Sequence, residues 1–197
     1  MDAVLYVHGK GGSAAESGHF APLFPGCRVT GLDYRGETPR EAGPEIRAAV
    51  EELAAEGGAV DLIANSIGAY FSLHAGLDGL LRRAFFISPV VDMERLILGW
   101  MAALGVTEAE LEARGSVPTP YGEDLSFAYL SWVRRHPVSW NVPTRILYGE
   151  RDALVARDTV ERFAARHGAD LTVMEGGEHW FRTEEQMRYL DGWIKNG

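Results

Sequence analysis

The stretch Asp61-Leu-Ile-Ala-Asn-Ser-Ile-Gly-Ala-Tyr70 carries the clearest structural pattern in this chain. The apolar run at residues 60–64 predicts a buried strand, and the small and apolar residues from Ile67 onward predict a helix. Ser66 therefore lies at the apex of a sharp strand-to-helix turn. The free N–H groups of the new helix and the positive end of its dipole face this point, which favours a developing negative charge there.

Ser66 has two interpretations at this stage. The motif typical of a nucleophilic serine at such a turn is Gly-x-Ser-x-Gly, and this chain carries Ala64 in place of the first glycine and Gly68 at the second. Alanine is still small enough to let strand and helix approach each other. Serine is also a common N-cap residue of helices. This stretch alone leaves the choice between nucleophile and helix cap to the rest of the chain.

Length and composition describe a globular chain and exclude several classes of partner. The chain has 197 residues, of which 46% are hydrophobic and 24% charged, and its formal net charge is −9. This charge argues against nucleic acid and against an anionic membrane surface as partners. No apolar run approaches the ~20 residues of a transmembrane helix. A chain of this length fits one domain, so we expect a single domain over residues 1–197. The N-terminus lacks the basic region of a secretory signal, so we expect the protein in the cytoplasm.

The sequence predicts neither a metal site nor a nucleotide cofactor. Cys27 is the single cysteine, and the six histidines are scattered without the spacing of a zinc site. A glycine-rich segment, His8-Gly-Lys-Gly-Gly-Ser13, follows the first predicted strand. It fits neither the Walker pattern nor the dinucleotide fingerprint, because Lys10 precedes the glycine pair and Ala14 stands at the third glycine position. We therefore expect no cofactor.

Strand-like and helix-like segments alternate along the chain. Short apolar runs rich in β-forming residues predict strands, and apolar residues at helical spacing predict helices. The predicted strands cover residues 3–7, 27–32, 60–64, 84–87, 144–148 and 171–174. The predicted helices cover residues 39–56, 67–77, 157–167 and 183–195. This alternation is typical of an α/β protein with a parallel sheet and helices on both faces.

The stretch from about residue 91 to residue 141 interrupts the alternation. It carries two helical patterns and no strand-like run, and it is long for a connection between two strands. We interpret it as a helical cap inserted in the same domain. Its tryptophans Trp100 and Trp132, together with Trp180 beyond the last predicted strand, are candidate substrate-binding residues.

Chemically active side chains follow the predicted strands. In an open α/β sheet, ligands bind outside the carboxyl ends of the strands. Ser66 follows the third predicted strand, Asp152 the fifth and His179 the sixth. The chain order is thus serine, acid, histidine. In sites with this order, the acid orients the histidine, and the histidine acts as the base that activates the serine hydroxyl. Asp92, after the fourth strand, is the alternative acid, and His8, after the first, is interpreted as a brace of its loop.

These motifs together resemble the α/β-hydrolase superfamily over nearly the whole chain. The segment His8-Gly-Lys-Gly-Gly12 resembles its oxyanion loop and Asn65-Ser-Ile-Gly68 its nucleophile elbow, while residues 149–152 and 177–180 resemble its acid and histidine loops. The chain departs from the family at Ala64 and in starting at the oxyanion-loop strand, without the two earlier strands of many relatives. The resemblance implies the α/β-hydrolase fold, with a six-stranded, mostly parallel sheet in the order 2-1-3-4-5-6.

The resemblance also implies a role for each matched residue. Ser66 is the expected nucleophile, His179 the expected base and Asp152 the expected acid. The backbone N–H groups of Lys10 and Ile67 are the expected oxyanion hole. The implied activity is cofactor-independent hydrolysis of a small to medium carboxylic ester, a small-molecule acyl substrate, through an acyl-enzyme. Cleavage of a thioester, amide or peptide by the same residues, and ligand binding without turnover, remain the alternatives.

Overall fold

The computed structural model describes residues 1–120 and 122–197. Its strands are β1 (Ala3–Val7), β2 (Arg28–Leu32), β3 (Val60–Asn65), β4 (Arg83–Ile87), β5 (Ser116–Val117), β6 (Leu125–Ser126), β7 (Thr144–Gly149) and β8 (Asp170–Met174). Its helices are α1 (Ser17–Phe20), α2 (Pro39–Ala55), α3 (Ile67–Leu73), α4 (Met93–Leu104), α5 (Glu108–Arg114), α6 (Phe127–Arg135), α7 (Arg157–His167) and α8 (Glu184–Lys195). Two 3₁₀ turns, Ala14–Glu16 and Ala21–Leu23, flank α1.

Six of these strands form one sheet in the order β2-β1-β3-β4-β7-β8. Every neighbouring pair in this sheet is parallel. When only the strands of this sheet are counted, the order is the predicted 2-1-3-4-5-6. Because all six strands run in the same direction, the loops that follow them meet at one edge of the sheet.

The four central strands of the sheet, β1, β3, β4 and β7, are mostly buried because helices cover both faces. Val4 and Tyr6 of β1 belong to one core cluster, whereas Leu5 and Val7 alternate toward the opposite face, where α2 contacts β1 and β3. All five residues of β1 are buried, which is typical of a parallel strand between two layers of helices. The cluster joins the sheet to α1, the following 3₁₀ turn and α8 through Val4, Tyr6, Phe20, Phe24, Ile63, Phe85, Ile87, Leu147, Met174, Phe181, Leu190, Trp193 and Ile194.

The chain divides into two compact units, residues 1–91 with 139–197, and residues 92–138. In the second unit α4 contacts α6, and β5 pairs with β6 in an antiparallel hairpin. Arg134 of α6 bridges Glu94 and Glu108, at 2.6 Å from each. The expectation that this stretch contains no strands is wrong, because two-residue strands are too short to show an alternating pattern.

Two further elements differ from the prediction. Helix α3 ends at Leu73 and not near residue 77, because the chain leaves the helical conformation at His74 and Gly76 adopts a positive φ of 66°. The short α1 and its flanking 3₁₀ turns were not expected, since four residues are too few to produce a helical period. None of the helices in the described parts of the chain is long and apolar enough to cross a membrane.

Candidate active site

The turn at Ser66 is strained and firmly held. Ser66 adopts φ 51° and ψ −119°, a conformation that non-glycine residues rarely occupy. Its backbone N–H donates to the carbonyl of Ile87 at 3.0 Å, and its own carbonyl accepts from the N–H of Val90 at 3.0 Å. Although Ser66 occupies the N-cap position of α3, its side chain makes no capping hydrogen bond. The turn therefore presents the hydroxyl away from the helix backbone.

Small residues around the turn allow β1, β3 and α3 to meet. A Cβ atom at Gly68 would lie 2.4 Å from the carbonyl oxygen of His8 and 2.8 Å from that of Val7. A Cβ atom at Gly9 would lie 3.1 Å from Cβ of Ser66. Ala64 is fully buried, so the first glycine position of the motif accommodates a methyl group here. Gly68, by contrast, is required by the close approach of α3 to the end of β1.

Ser66, His179 and Asp152 form a continuous chain of hydrogen bonds. Ser66 Oγ lies 2.9 Å from His179 Nε2, and His179 Nδ1 lies 2.6 Å from Asp152 Oδ2. The other carboxylate oxygen, Oδ1, accepts the backbone N–H groups of Leu154 and Val155 at 2.8 and 2.9 Å. Since Asp152 accepts at Nδ1, the hydrogen-bond network assigns the Nδ1–H tautomer and leaves Nε2 facing the serine hydroxyl.

These three side chains are withdrawn from solvent. Ser66 is 3% exposed and His179 is 5% exposed, and the side chain of Asp152 is fully buried. In such surroundings an ion pair or a hydrogen bond is stronger than in water, because water no longer competes for the same groups. The arrangement can move a proton from the serine hydroxyl to the imidazole and stabilise the charge that results.

The acid and histidine loops are held together by their backbones. A Cβ atom at Gly149 would lie 2.6 Å from the carbonyl oxygen of Gly177, so a side chain at this position would separate the two loops. The N–H of Arg151 donates to that carbonyl at 2.8 Å, and Gly176 N–H donates to the side chain of Glu150 at 2.9 Å. The His179–Asp152 contact therefore rests on hydrogen bonds between the loops that follow β7 and β8.

Tyr148, at the end of β7, supports the loop that carries Asp152. Sequence patterns did not indicate this role. Its hydroxyl donates to the carbonyl of Val155 at 2.7 Å, directly beyond the turn that holds Asp152. Burial, and then the nearby charge of Asp152, raises the pKa of Tyr148 to about 12. The phenol therefore stays neutral and keeps its donor near neutral pH. The apolar pattern of β7 conceals this residue among ordinary core positions.

The glycine-rich loop after β1 is braced by its neighbours. The ring of His8 stacks on Tyr34, with centroids 4.4 Å apart and planes 12° apart, and the Tyr34 hydroxyl donates to the His8 carbonyl at 3.0 Å. His8 Nδ1 lies 2.7 Å from the Gly9 carbonyl, which accepts its proton. Asp33 Oδ1 accepts the N–H of Ala14 at 2.6 Å. Residues after β2 thus fix the loop that contacts Ser66.

The two expected oxyanion donors belong to segments next to Ser66. Ile67 is the first residue of α3, and the first N–H groups of a helix have no acceptor inside the helix. Lys10 is exposed and follows Gly9, whose backbone packs against Ser66. Their role as an oxyanion hole stays a prediction.

The remaining candidates occupy different environments. Trp180 is 42% exposed, and its ring meets that of His179 edge to face at 4.6 Å. Asp92 is the N-cap of α4 and accepts the N–H of Arg95 at 2.9 Å. Trp100 lies on α4, and Trp132 on α6 stacks on His136 at 4.3 Å. All three tryptophans stay predictions as substrate-binding residues.

In the described residues, no group of three or more histidine, cysteine, aspartate or glutamate side chains is placed to hold a metal ion.

Comparison with known proteins shows similarity at the level of structure. No family model matches the chain, and no curated protein matches it in sequence. Mouse alpha/beta hydrolase domain-containing protein 10 superposes with a TM-score of 0.77 at 18% identity, over 98% of this chain and 88% of that one. Est1E from Butyrivibrio proteoclasticus superposes with a TM-score of 0.77 at 16% identity, over 99% and 85%.

A third structure extends the similarity to a lipase. A soluble variant of monoglyceride lipase from Saccharomyces cerevisiae, in complex with a substrate analog, superposes with a TM-score of 0.67 at 14% identity, over 99% of this chain and 85% of that one. These superpositions cover both the sheet and its helices. Together with the strand order, they identify the architecture: the chain has the α/β-hydrolase fold.

Proposed function

We propose that this chain is a serine hydrolase that cleaves small to medium carboxylic esters through an acyl-enzyme on Ser66. The observation that carries the proposal is the buried hydrogen-bond chain from Ser66 Oγ to His179 and on to Asp152, with distances of 2.9 and 2.6 Å. A serine hydroxyl is a weak nucleophile unless a base removes its proton. His179 is within hydrogen-bond reach of that proton.

In the acylation step, Ser66 Oγ attacks the ester carbonyl carbon while His179 Nε2 takes the hydroxyl proton. Asp152 stabilises the resulting imidazolium and holds the ring in the tautomer that the step requires. The tetrahedral intermediate collapses when its bond to the alcohol oxygen breaks, and that oxygen receives the proton from His179. Water then repeats the sequence on the acyl group, with His179 as its base, and Ser66 is regenerated.

The conformation of the turn also supports stabilisation of the negative charge that forms on the intermediate. Positive φ at Ser66 places the residue at the start of α3, where the helix dipole favours negative charge. In our proposal the N–H groups of Ile67 and Lys10 bind the oxyanion. Loss of one such donor typically lowers turnover by ~10²–10³.

Fewer observations support an ester as the substrate than support Ser66 as the nucleophile. Ser66, His179 and Asp152 do not distinguish an alcohol from a thiol or amine leaving group. The named activity of the yeast neighbour, a monoglyceride lipase, favours an ester. Trp180, exposed beside His179, offers an apolar surface to the acyl or alcohol group, and Trp100 and Trp132 are further candidates.

Labelling with a fluorophosphonate probe tests the nucleophile. We expect the wild-type protein to be labelled and Ser66→Ala to remain unlabelled, because the probe reacts with an activated serine. Ser88→Ala is the matched control, since Ser88 is also buried at the end of a neighbouring strand and has a positive φ of 43°. It should be labelled like the wild type. Equal labelling of the Ser66 variant would refute the assignment.

A series of p-nitrophenyl esters of increasing chain length tests the substrate class. We expect hydrolysis of short and medium esters that disappears in Ser66→Ala. Thioesters of matched acyl length run in parallel. Faster turnover of the thioesters, or labelling without hydrolysis of any ester, would contradict the ester proposal while keeping Ser66 as nucleophile.

A further inference from the structure

A buried phenol connects the two segments that carry the proposed chemistry. Tyr6 of β1 is almost completely buried, and its hydroxyl donates to Glu16 Oε2. Glu16 lies in the 3₁₀ turn that follows the glycine-rich loop. Burial, and then the hydrogen bond with Glu16, raises the pKa of Tyr6 well above its usual range, while the side chain of Asn65 acts in the opposite direction through a hydrogen bond to the phenol oxygen. The Tyr6 hydroxyl therefore keeps its proton near neutral pH and remains a hydrogen-bond donor.

One carboxylate holds the glycine-rich loop. Glu16 Oε1 accepts the N–H of Ser13 at 3.3 Å, and the N–H of Glu16 donates to the carbonyl of Ser13 at 3.2 Å. A Cβ atom at Gly12 would lie 2.7 Å from Glu16 Oε1, so the carboxylate packs directly against the loop backbone. Gly12 N–H in turn donates to the Gly9 carbonyl at 3.1 Å. The loop from Gly9 to Ser13 is thus tied to Glu16 at its end.

The other side of the phenol reaches the serine turn. Asn65 directly precedes Ser66, and its Oδ1 has no partner among the described residues. Its amide NH₂ is therefore the group of this side chain that can donate to the Tyr6 phenol and lower its pKa. Strand β1 pairs with β3 so that Tyr6 lies opposite Ile63, and Asn65, two residues further along β3, therefore lies on the same face of the sheet as Tyr6. On its other side, Tyr6 donates to the residue that anchors the loop. The same loop meets the serine turn at Gly9, where an added Cβ would lie 3.1 Å from Ser66 Cβ.

We infer that Glu16, acting through Tyr6, is a positioning residue that keeps the loop from Gly9 to Ser13 in register with the Ser66 turn. This inference rests on the proposed function. Lys10, a proposed oxyanion donor, lies inside this loop, so its N–H must keep a defined distance from Ser66 Oγ. A displacement of about 1 Å at such a position can cost ~10²-fold in rate.

Glu16→Gln is the primary test, because it changes the hydrogen-bond pattern with little change in shape. The wild-type carboxylate accepts from both Ser13 N–H and Tyr6 O–H, whereas an amide has only one oxygen, and its NH₂ group must face one of these donors. We expect kcat for the best p-nitrophenyl ester to fall about 10–100-fold while KM is unchanged, because the loop position matters most in the transition state.

A second readout separates positioning from general support of the fold. A trifluoromethyl ketone forms a tetrahedral adduct with an active serine, and its oxygen occupies the oxyanion site. The affinity of Glu16→Gln for this ketone should fall in parallel with kcat, while its urea unfolding curve stays close to that of the wild type. Tyr6→Phe should have the same signature, and the double variant should lose no more than the worse single variant, since both act through one contact.

Glu41→Gln is the matched control. Glu41 is also an exposed glutamate that accepts a backbone N–H and a hydroxyl, those of Glu37 and Thr38, but it holds the loop before α2. It should leave kcat and ketone affinity unchanged. Unchanged kcat in Glu16→Gln, or activity loss only in proportion to unfolding, overturns this inference alone. A wild-type protein that neither labels at Ser66 nor hydrolyses esters overturns the proposed function as well.

Discussion

At the scale of single residues, the site concentrates strain and burial on a few side chains. Ser66 holds a backbone conformation that costs on the order of 1–3 kcal/mol for a non-glycine residue. Hydrogen bonds from β4 and its following loop maintain it. Asp152 is enclosed by backbone donors on one oxygen and by His179 on the other. The strained turn and the buried acid together hold the Ser66 hydroxyl within hydrogen-bond distance of His179.

A first prediction at this scale separates the two acid candidates. Asp152→Asn should lower kcat for esters by about 10³–10⁴-fold, because an amide no longer fixes the imidazole tautomer. Asp92→Asn should leave kcat unchanged, since asparagine is as good an N-cap as aspartate and Asp92 caps α4. Steady-state kinetics on both purified variants decide the matter. A loss of activity in the Asp92 variant alone would contradict the assignment.

At the scale of elements, the β3–α3 turn depends on how closely α3 approaches β1. The sheet register brings Ala64 of β3 opposite Val7 of β1, directly before the turn. Gly68, in the first turn of α3, then lies against the carbonyl groups of Val7 and His8. This contact sets the height of the helix above the sheet, and with it the position of Ser66.

Gly68→Ala is therefore expected to be destabilising. The added Cβ would lie 2.4 Å from a backbone oxygen, which cannot rotate away as a side chain can. We expect a loss of about 1–3 kcal/mol in the free energy of unfolding, the usual range for overpacking. Because the shift acts on α3, the rate of fluorophosphonate labelling should fall as well.

Gly192→Ala is the matched control for this experiment. Gly192 lies inside α8, and an added Cβ there meets no atom within 4 Å. Alanine should stabilise the helix by about 0.5–1 kcal/mol. Urea unfolding measures both variants. If Gly68→Ala were as stable as the wild type, the close approach of α3 to β1 would not limit this position.

At the scale of the whole molecule, the carboxyl ends and the amino ends of the sheet strands carry different chemical groups. The carboxyl edge carries the proposed site, whereas the amino edge carries an ionic network. Asp61 of β3 is fully buried and accepts two hydrogen bonds from Arg82, at 2.7 and 2.8 Å, and one from Arg83 at 3.0 Å. Arg82 also reaches Asp2 at 2.7 Å, and Asp2 accepts the N–H of Ala59 at 3.1 Å. The network joins the starts of β1, β3 and β4.

This network predicts a pH dependence of stability. The Ala59 N–H, and then Arg82, hold the pKa of Asp2 below its ordinary value of 3.8. A lowered pKa in the folded state means that Asp2 stabilises the fold above that value and ceases to do so as the pH falls through the folded-state pKa. Asp2→Asn should therefore be less stable than the wild type near neutral pH, and the difference should shrink with acidification.

Urea unfolding across the acidic range tests this dependence. Glu161→Gln is the control, because the exposed Arg157–Glu161 pair on α7 contributes little at any pH. A difference between Asp2→Asn and the wild type that is equally large near neutral pH and below pH 3.8 would contradict the role of the Asp2 charge.

Local patterns were sufficient to predict most of the sheet. The apolar runs locate β1, β3 and β7 within one residue of their bounds, because strand periodicity and glycine punctuation act over a few neighbouring residues. The order of the serine, acid and histidine loops follows from their place after successive strands. The two-residue strands β5 and β6 and the short α1 escaped prediction, because they have too few residues to show a period.

Local sequence patterns are enough to predict the α/β alternation and the residues at the strand ends. Which of these side chains touch depends on the three-dimensional arrangement of the sheet and its loops. Ser66 and His179 are 113 positions apart in the chain, and their contact depends on the sheet order and on the backbone bonds between two loops. Two supports of the site, Tyr148 and the Tyr6–Glu16 contact, carry no local signal either. Their partners are defined by packing between distant segments, which a short window of sequence does not contain.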